Sequence, residues 1–299
     1  MIRIASIQYL RAAAALAVVI HHVAFQLRIP LEVAAAGVDV FFVISGFIMV
    51  SMTLRADTEP LRFLWQRIAR IAPLYWIITL GIAAPAILYP QSIRDLGPDL
   101  ERLVLSLLFI PHLSEHGDPY PLLIPGWTLN YEMFFYILVA AGLHLPRRIR
   151  VPTLLATLVV LVLAGALLRP EAVALQAWTS PLLLEFAAGG VLGLLWARRR
   201  LPLRTTGVLL LGGGLAAFAL LEILELHFEP WRFALWGVPA VMVVLGALSL
   251  EPASEPPPLK SLGLVGDASY SIYLLHPLVV MFAVSLVGRE APAQLFVLV

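Results

Sequence analysis

Residues 9–26, YLRAAAALAVVIHHVAFQ, and residues 37–53, GVDVFFVISGFIMVSMT, decide the fold. At 1.5 Å of rise per residue each run is long enough, as a helix, to cross most of a hydrocarbon core about 30 Å thick. Working outward, comparable apolar windows recur at 72–89, 127–144, 151–168, 181–197, 206–224, 233–250 and 267–287, which makes nine. A tenth opens at Ala293 and is cut off at Val299. The run 100–112 is apolar but too short to cross, and reads as a re-entrant or interfacial helix. Over all 299 residues 61% are hydrophobic and 13% charged, half the charged share of an ordinary soluble protein. So much apolar surface exceeds what one water-facing globule can bury, and lipid must be the solvent for a large part of it. The expectation is an all-α polytopic transmembrane bundle of about ten helices, the last one truncated, forming a single integral membrane domain over 1–299.

A net charge of +1 gives no reason to expect nucleic acid, and the absence of cysteine removes disulfides, thiolate metal sites and a thiol nucleophile. No metal is expected. With the N-terminus inside, the inner segments hold 14 of the Lys and Arg residues and the outer segments 6. Basic residues in short loops set orientation, so the N-terminus is expected to be cytoplasmic and the loop 90–126 external. A cleaved signal peptide ending near Ala34 to Ala36 is the competing reading of the first run, but another span follows it rather than a soluble domain.

Ionisable side chains deep in a span cost on the order of 3 kcal/mol each, so they face a bundle interior and mark function. The first span carries Arg11, His21 and His22, the second Asp39, the fourth Glu132, the sixth Glu185 and the ninth His276. Arg11 and His22 are eleven residues apart, three helical turns plus a small rotation. They therefore share one face about 16 Å apart, and His21 points elsewhere. Such a line suits a molecule that threads the membrane with its anionic end inside. Equally, Arg11 can be an anchor that snorkels to the headgroups and His22 a packed histidine. Counted from the outer ends of their spans, His22, Asp39 and Glu132 lie within roughly 8 Å of one plane. A histidine beside a carboxylate is the usual arrangement for a tuned general base, although Asp39 also fits as the cap of its own helix.

The stretch 62–76, RFLWQRIARIAPLYW, is the strongest cationic cluster at the membrane surface. Arg67 and Arg70 are i and i+3 and share a helix face on which two guanidinium groups can grip a phosphate. Trp65, Tyr75 and Trp76 ring them, as interfacial belts also do. Gly189 and Gly193, four apart, read as a close helix contact within one chain or between two.

Five segments in order, LRAAAALAVVIHH at 10–22, GVDVFFVISGFIM at 37–49, RIARIAPLYW at 67–76, WTLNYEMFFY at 127–136 and GDASYSIYLLHP at 266–277, resemble the acyltransferase 3 family of bacterial membrane O-acyltransferases, in its exopolysaccharide-production form. The resemblance implies transfer of an acetyl or similar acyl group from cytoplasmic acetyl-CoA, as co-substrate, to a sugar hydroxyl of an exported, cell-surface or lipid-linked saccharide. It implies residence in the bacterial inner membrane, among membrane lipid, beside the polysaccharide biosynthesis machinery. The family's Arg-x10-His element maps onto Arg11 and His22, and its Arg-x-x-Arg element onto Arg67 and Arg70. On this reading His22, Glu132 and Asp39 are catalytic, with His22 as general base or transient acyl carrier. Arg11, Arg67, Arg70 and Tyr75 hold the donor, and Trp127, Asn130, Tyr270, Ser271 and His276 are further site residues. The C-terminal hydrolase-like domain of some relatives has no counterpart here, so no relay through a second domain is expected. A transporter or flippase for a glycan or small anionic solute is the rival reading, since buried Arg, Asp, Glu and His also line translocation paths. Neither an inverted repeat nor a matched pair of interrupted helices supports it. A scaffold for a polysaccharide synthase would not need so many buried ionisable groups.

Overall fold

In a computed structural model the described residues are 4–55, 59–88, 100–226, 231–251 and 260–286. They are helical: α1 (Ala5–Leu27), α2 (Gly37–Arg55), α3 (Pro60–Leu88), α4 (Leu100–Leu107), α5 (Gly126–Leu143), α6 (Arg147–Leu168), α7 (Val173–Trp178), α8 (Leu183–Ala197), α9 (Arg204–Ile223), α10 (Val238–Ser249) and α11 (Lys260–Leu286). A short 3-10 turn, Val33–Ala36, precedes α2 and a π-helical turn, Phe233–Gly237, precedes α10. Every one of the nine expected windows holds a helix, and the tenth lies outside the described residues. Among the described residues, seven helical runs are long and apolar enough to cross a membrane. The segment 233–249 is shorter, and the first turns of α5 are diluted by Trp127, Asn130, Tyr131 and Glu132.

Two boundaries differ from expectation. The span expected at 72–89 starts earlier: α3 runs unbroken from Pro60 and takes in the arginine stretch 62–76. Pro60 stands at the first helical position, where its missing N–H costs nothing, and Pro73 sits inside the same helix, as prolines in membrane helices can. The apolar run 100–112 keeps helical form only to Leu107.

The chain divides into two compact units, Met1–Arg55 with Leu184–Val299, and Ala56–Leu183. In the first, α2 is the central span: 72% of its apolar window is buried, against 11% for α9, whose exposed leucines and valines face lipid. Close approach depends on glycine. A Cβ on Gly189 would meet the Val43 carbonyl at 1.9 Å, and one on Gly193 the Phe47 carbonyl at 3.0 Å, so this pair seats α8 on α2 inside one chain. A Cβ on Gly266 would lie 2.1 Å from the Gln8 carbonyl, which puts α11 directly on the backbone of α1. The start of α1 is closed by Glu251, whose carboxylate accepts from the Ala5 and Ser6 amides at 2.7 and 2.9 Å. A carboxylate satisfies the otherwise orphaned first-turn donors and suits the positive end of the helix dipole. In the second unit α3 packs along α5, and α5 along α6; only 17% of the α6 window is buried, so α6 also presents its side to lipid.

Candidate active site

In the first unit, the shared face of α1 turns to α11. Arg11 is buried and donates from Nε and Nη2 to the Ser269 hydroxyl at 3.1 and 2.9 Å. Farther along, the His22 ring lies 4.5 Å from that of His276, centroid to centroid, at 63°. The contacts Gln8 with Gly266, Arg11 with Ser269 and His22 with His276 ascend together in both helices, so α1 and α11 run parallel. Burial and the Ser269 bonds decide between the two readings of Arg11: it does not snorkel. His21 faces away, with Nδ1 2.9 Å from the Leu31 carbonyl and 4.0 Å from Glu32.

The Nδ1 of His22 sits 2.9 Å from the carbonyl of Val18, one turn earlier. A carbonyl can only accept, so Nδ1 carries the hydrogen and Nε2 keeps its lone pair. The same holds for His276, whose Nδ1 meets the Tyr273 carbonyl. Pro277 has no N–H to give to that carbonyl four residues back, and the imidazole takes the vacated place. Tyr270 and Ser271 are half-buried on the same helix.

The partner of His22 Nδ1 is thus a carbonyl rather than a carboxylate. Asp39 is fully buried and both its oxygens accept from Arg232, at 3.2 Å from Nε and 2.9 Å from Nη2. The Arg232 guanidinium also lies over the Trp236 ring, 4.7 Å from its centroid. Glu185, fully buried on α8, reaches the same Asp39 and lies against the backbone of Gly237. A bidentate guanidinium is the strongest counter-charge a buried carboxylate can find, which explains why Asp39 is committed there. Arg232 is one of the six basic residues of the outer segments, and spacing alone does not mark it as a site residue. The signal for it was a lone arginine just before the apolar run 233–250, with Asp39 needing a cation.

In the second unit, Arg67 is buried on α3 with its guanidinium 5.7 Å from the centre of the Phe63 ring, and Arg70 is exposed. Glu132 accepts a hydrogen bond from the Tyr136 hydroxyl one turn later on α5. Arg67, Arg70, Glu132 and Tyr136 lie within electrostatic range of one another. The Nε of Arg67 and the buried side-chain oxygen of Asn130 have no hydrogen-bond partner among the described residues. The Trp127 ring meets Tyr131 edge-on at 5.9 Å. Tyr75 is fully buried, its ring 4.9 Å from that of Phe109 and close under Gly126, while Trp76 donates to the Leu107 carbonyl at 2.8 Å and ties α3 to the end of α4. Trp65 is exposed.

Helices long enough to span a bilayer, carrying buried guanidinium groups and an imidazole held in the basic tautomer, define a polytopic membrane protein equipped for group transfer. The model of the acyltransferase family, described as an acyltransferase domain, matches residues 4–299, and the chain belongs to that family. It is an acyltransferase. The chain is 40% identical over 274 residues to the exopolysaccharide production protein ExoZ of Rhizobium meliloti (strain 1021), covering 88% of this chain and 83% of that protein. It is 26% identical to the peptidoglycan O-acetyltransferase OatA of Listeria monocytogenes, over 91% of this chain and 48% of that protein. A further match, 27% identical over 97% of this chain and 82% of the other, is the acyltransferase MdmB of Streptomyces mycarofaciens. No solved structure matches.

Proposed function

We propose that the protein moves an acetyl or similar acyl group from acyl-CoA, on the cytoplasmic side of a bacterial inner membrane, to a sugar hydroxyl of an exported or cell-surface glycan. The observation that carries this reading is His22, whose Nδ1 is spent on Val18 so that Nε2 is free to take a proton, in a chain of the acyltransferase family. The names of two relatives, one for exopolysaccharide production and one for peptidoglycan O-acetylation, support a glycan acceptor. The 14 to 6 distribution of basic residues supports a cytoplasmic N-terminus and, with it, a cytoplasmic donor. The two compact units serve as one acyltransferase domain, in keeping with a family match that runs through both.

In the mechanism His22 Nε2 takes the proton of the sugar hydroxyl as its oxygen attacks the thioester carbon. The new C–O bond forms, the C–S bond breaks, and the leaving thiolate recovers the proton as free CoA. Arg67 and Arg70 hold the donor's phosphates, the Nε of Arg67 supplying a charged donor to a phosphate oxygen. Arg11 fixes α11 against α1 and keeps the face that carries His22 in register. The test is the purified protein in vesicles with radiolabelled acetyl-CoA and extracted surface glycan. Labelled glycan and stoichiometric free thiol are expected. Movement of intact glycan or solute with no loss of thioester would favour the transport reading instead.

A further inference from the structure

Resting on the reading of His22 as the base, we propose that His276 is its proton partner: a positioning residue that accepts a hydrogen bond from His22 once His22 has taken the proton of the acceptor hydroxyl. The two rings are in edge contact at 4.5 Å. Each Nδ1 is committed to a backbone carbonyl, Val18 for His22 and Tyr273 for His276, so both rings keep the Nε2 lone pair. His276 is 4% exposed, and its Nε2 has no hydrogen-bond partner among the described residues. A buried acceptor left unpaired is unfavourable for folding, and such groups in a native structure call for an explanation. The register that brings the rings together is built twice over, by Gly266 on Gln8 and by Ser269 on Arg11. The third histidine of the region, His21, lies 5.1 Å from His22 but has its Nδ1 turned to Leu31.

Before reaction both imidazoles are neutral and their rings are in edge contact. When the hydroxyl O–H bond breaks, the proton goes to Nε2 of His22, and that N–H donates to Nε2 of His276. That bond forms just as charge develops on His22, which lowers the barrier without tighter binding of either substrate. The same proton then goes to the leaving thiolate, and both rings return to the neutral state. Nothing is oxidised and no further reactant is needed.

Three substitutions separate this role from packing: His276→Phe keeps ring volume and removes the acceptor, His276→Ala removes both, and His276→Gln keeps an amide oxygen able to accept from His22. They are compared with His22→Ala in membranes carrying the full chain and its own glycan, with acetyl-CoA as donor and free thiol as readout. We expect kcat to fall about 100-fold in the Phe and Ala variants, with the KM for acetyl-CoA within about twofold of wild type, and about tenfold or less in the Gln variant. The double variant His22→Ala/His276→Phe should be no slower than His22→Ala alone. Wild-type kcat in the Phe variant, equal losses in Phe and Gln, or a multiplied loss in the double variant overturns the proposal. Where Phe or Ala fails to insert, Gln decides: a reduced kcat at unchanged KM supports it, and a wild-type kcat overturns it. Full activity in His22→Ala would instead remove the reading of His22 on which the proposal rests.

Discussion

Arg11 in the first unit and Arg67 in the second, both buried, are treated in opposite ways, while Arg150 of the second unit donates to the Leu143 and Leu145 carbonyls. In the first, Arg11 spends two donors on Ser269 and Arg232 spends two on Asp39, so the cations are consumed by the protein itself. In the second, Arg67 is as buried as Arg11 but its Nε has no hydrogen-bond partner among the described residues, and Arg70 beside it is exposed. A charge that the fold already pairs holds helices in register, whereas a charge that the fold leaves open waits for a ligand. On the proposed function, the first unit sets the catalytic geometry and the second grips the donor's phosphates.

The comparison breaks first at His22. Replacing it with Ala should lower acyl transfer by about 100- to 10,000-fold while the protein still folds and inserts, and His21→Ala should retain most of the activity. Similar losses in both, read as free-thiol release, would take the His22 face out of the account. Next in size is the ion pair of the first unit. Asp39→Asn removes the charge that half-buried Arg232 pairs with and should cost about 1 to 3 kcal/mol, seen as a lowered Tm in detergent. An unchanged Tm would mean that the pair does not hold α2 to the segment before α10.

The two arginine classes then separate by which constant they move. Arg67→Gln with Arg70→Gln should raise the KM for acetyl-CoA tenfold or more and leave that for the acceptor nearly unchanged. Arg11→Gln should lower Tm and kcat with little change in either KM. A shift in the acetyl-CoA KM for Arg11→Gln equal to that of the arginine pair would erase the distinction between held and open cations. The smallest effect is expected for Ser269→Ala, about 1 kcal/mol of stability, since it removes a neutral acceptor from Arg11.

Much of this was legible from spacing. All nine windows became helices because membrane spans are set by length and apolarity alone, with little tertiary override. The face shared by Arg11 and His22 followed from eleven residues of helix, and the contact at Gly189 and Gly193 followed from their missing side chains. What spacing could not supply was partnership between distant segments. Asp39 was matched to His22 by depth, but depth says nothing of rotation about a helix axis, and Arg232, 193 residues away, holds the carboxylate. Arg67 and Arg70 were read as equivalent from their i, i+3 relation, yet a rotation of about 60° between them is enough to bury one and expose the other. The carbonyl freed by Pro277, which sets the His276 tautomer, is visible in the His-Pro pair only after the segment is known to be helical.

Acyl transfer across the bilayer from a donor on the arginine side can be followed in sealed vesicles of defined orientation. Labelled acetyl-CoA is supplied on one face at a time, and label on surface glycan at the opposite face is counted. The account predicts labelled glycan when acetyl-CoA has access to the cytoplasmic face, none when it is supplied only to the outer face, and none from either face in His22→Ala. Equal labelling from both faces, or undiminished labelling in the His22 variant, would contradict it.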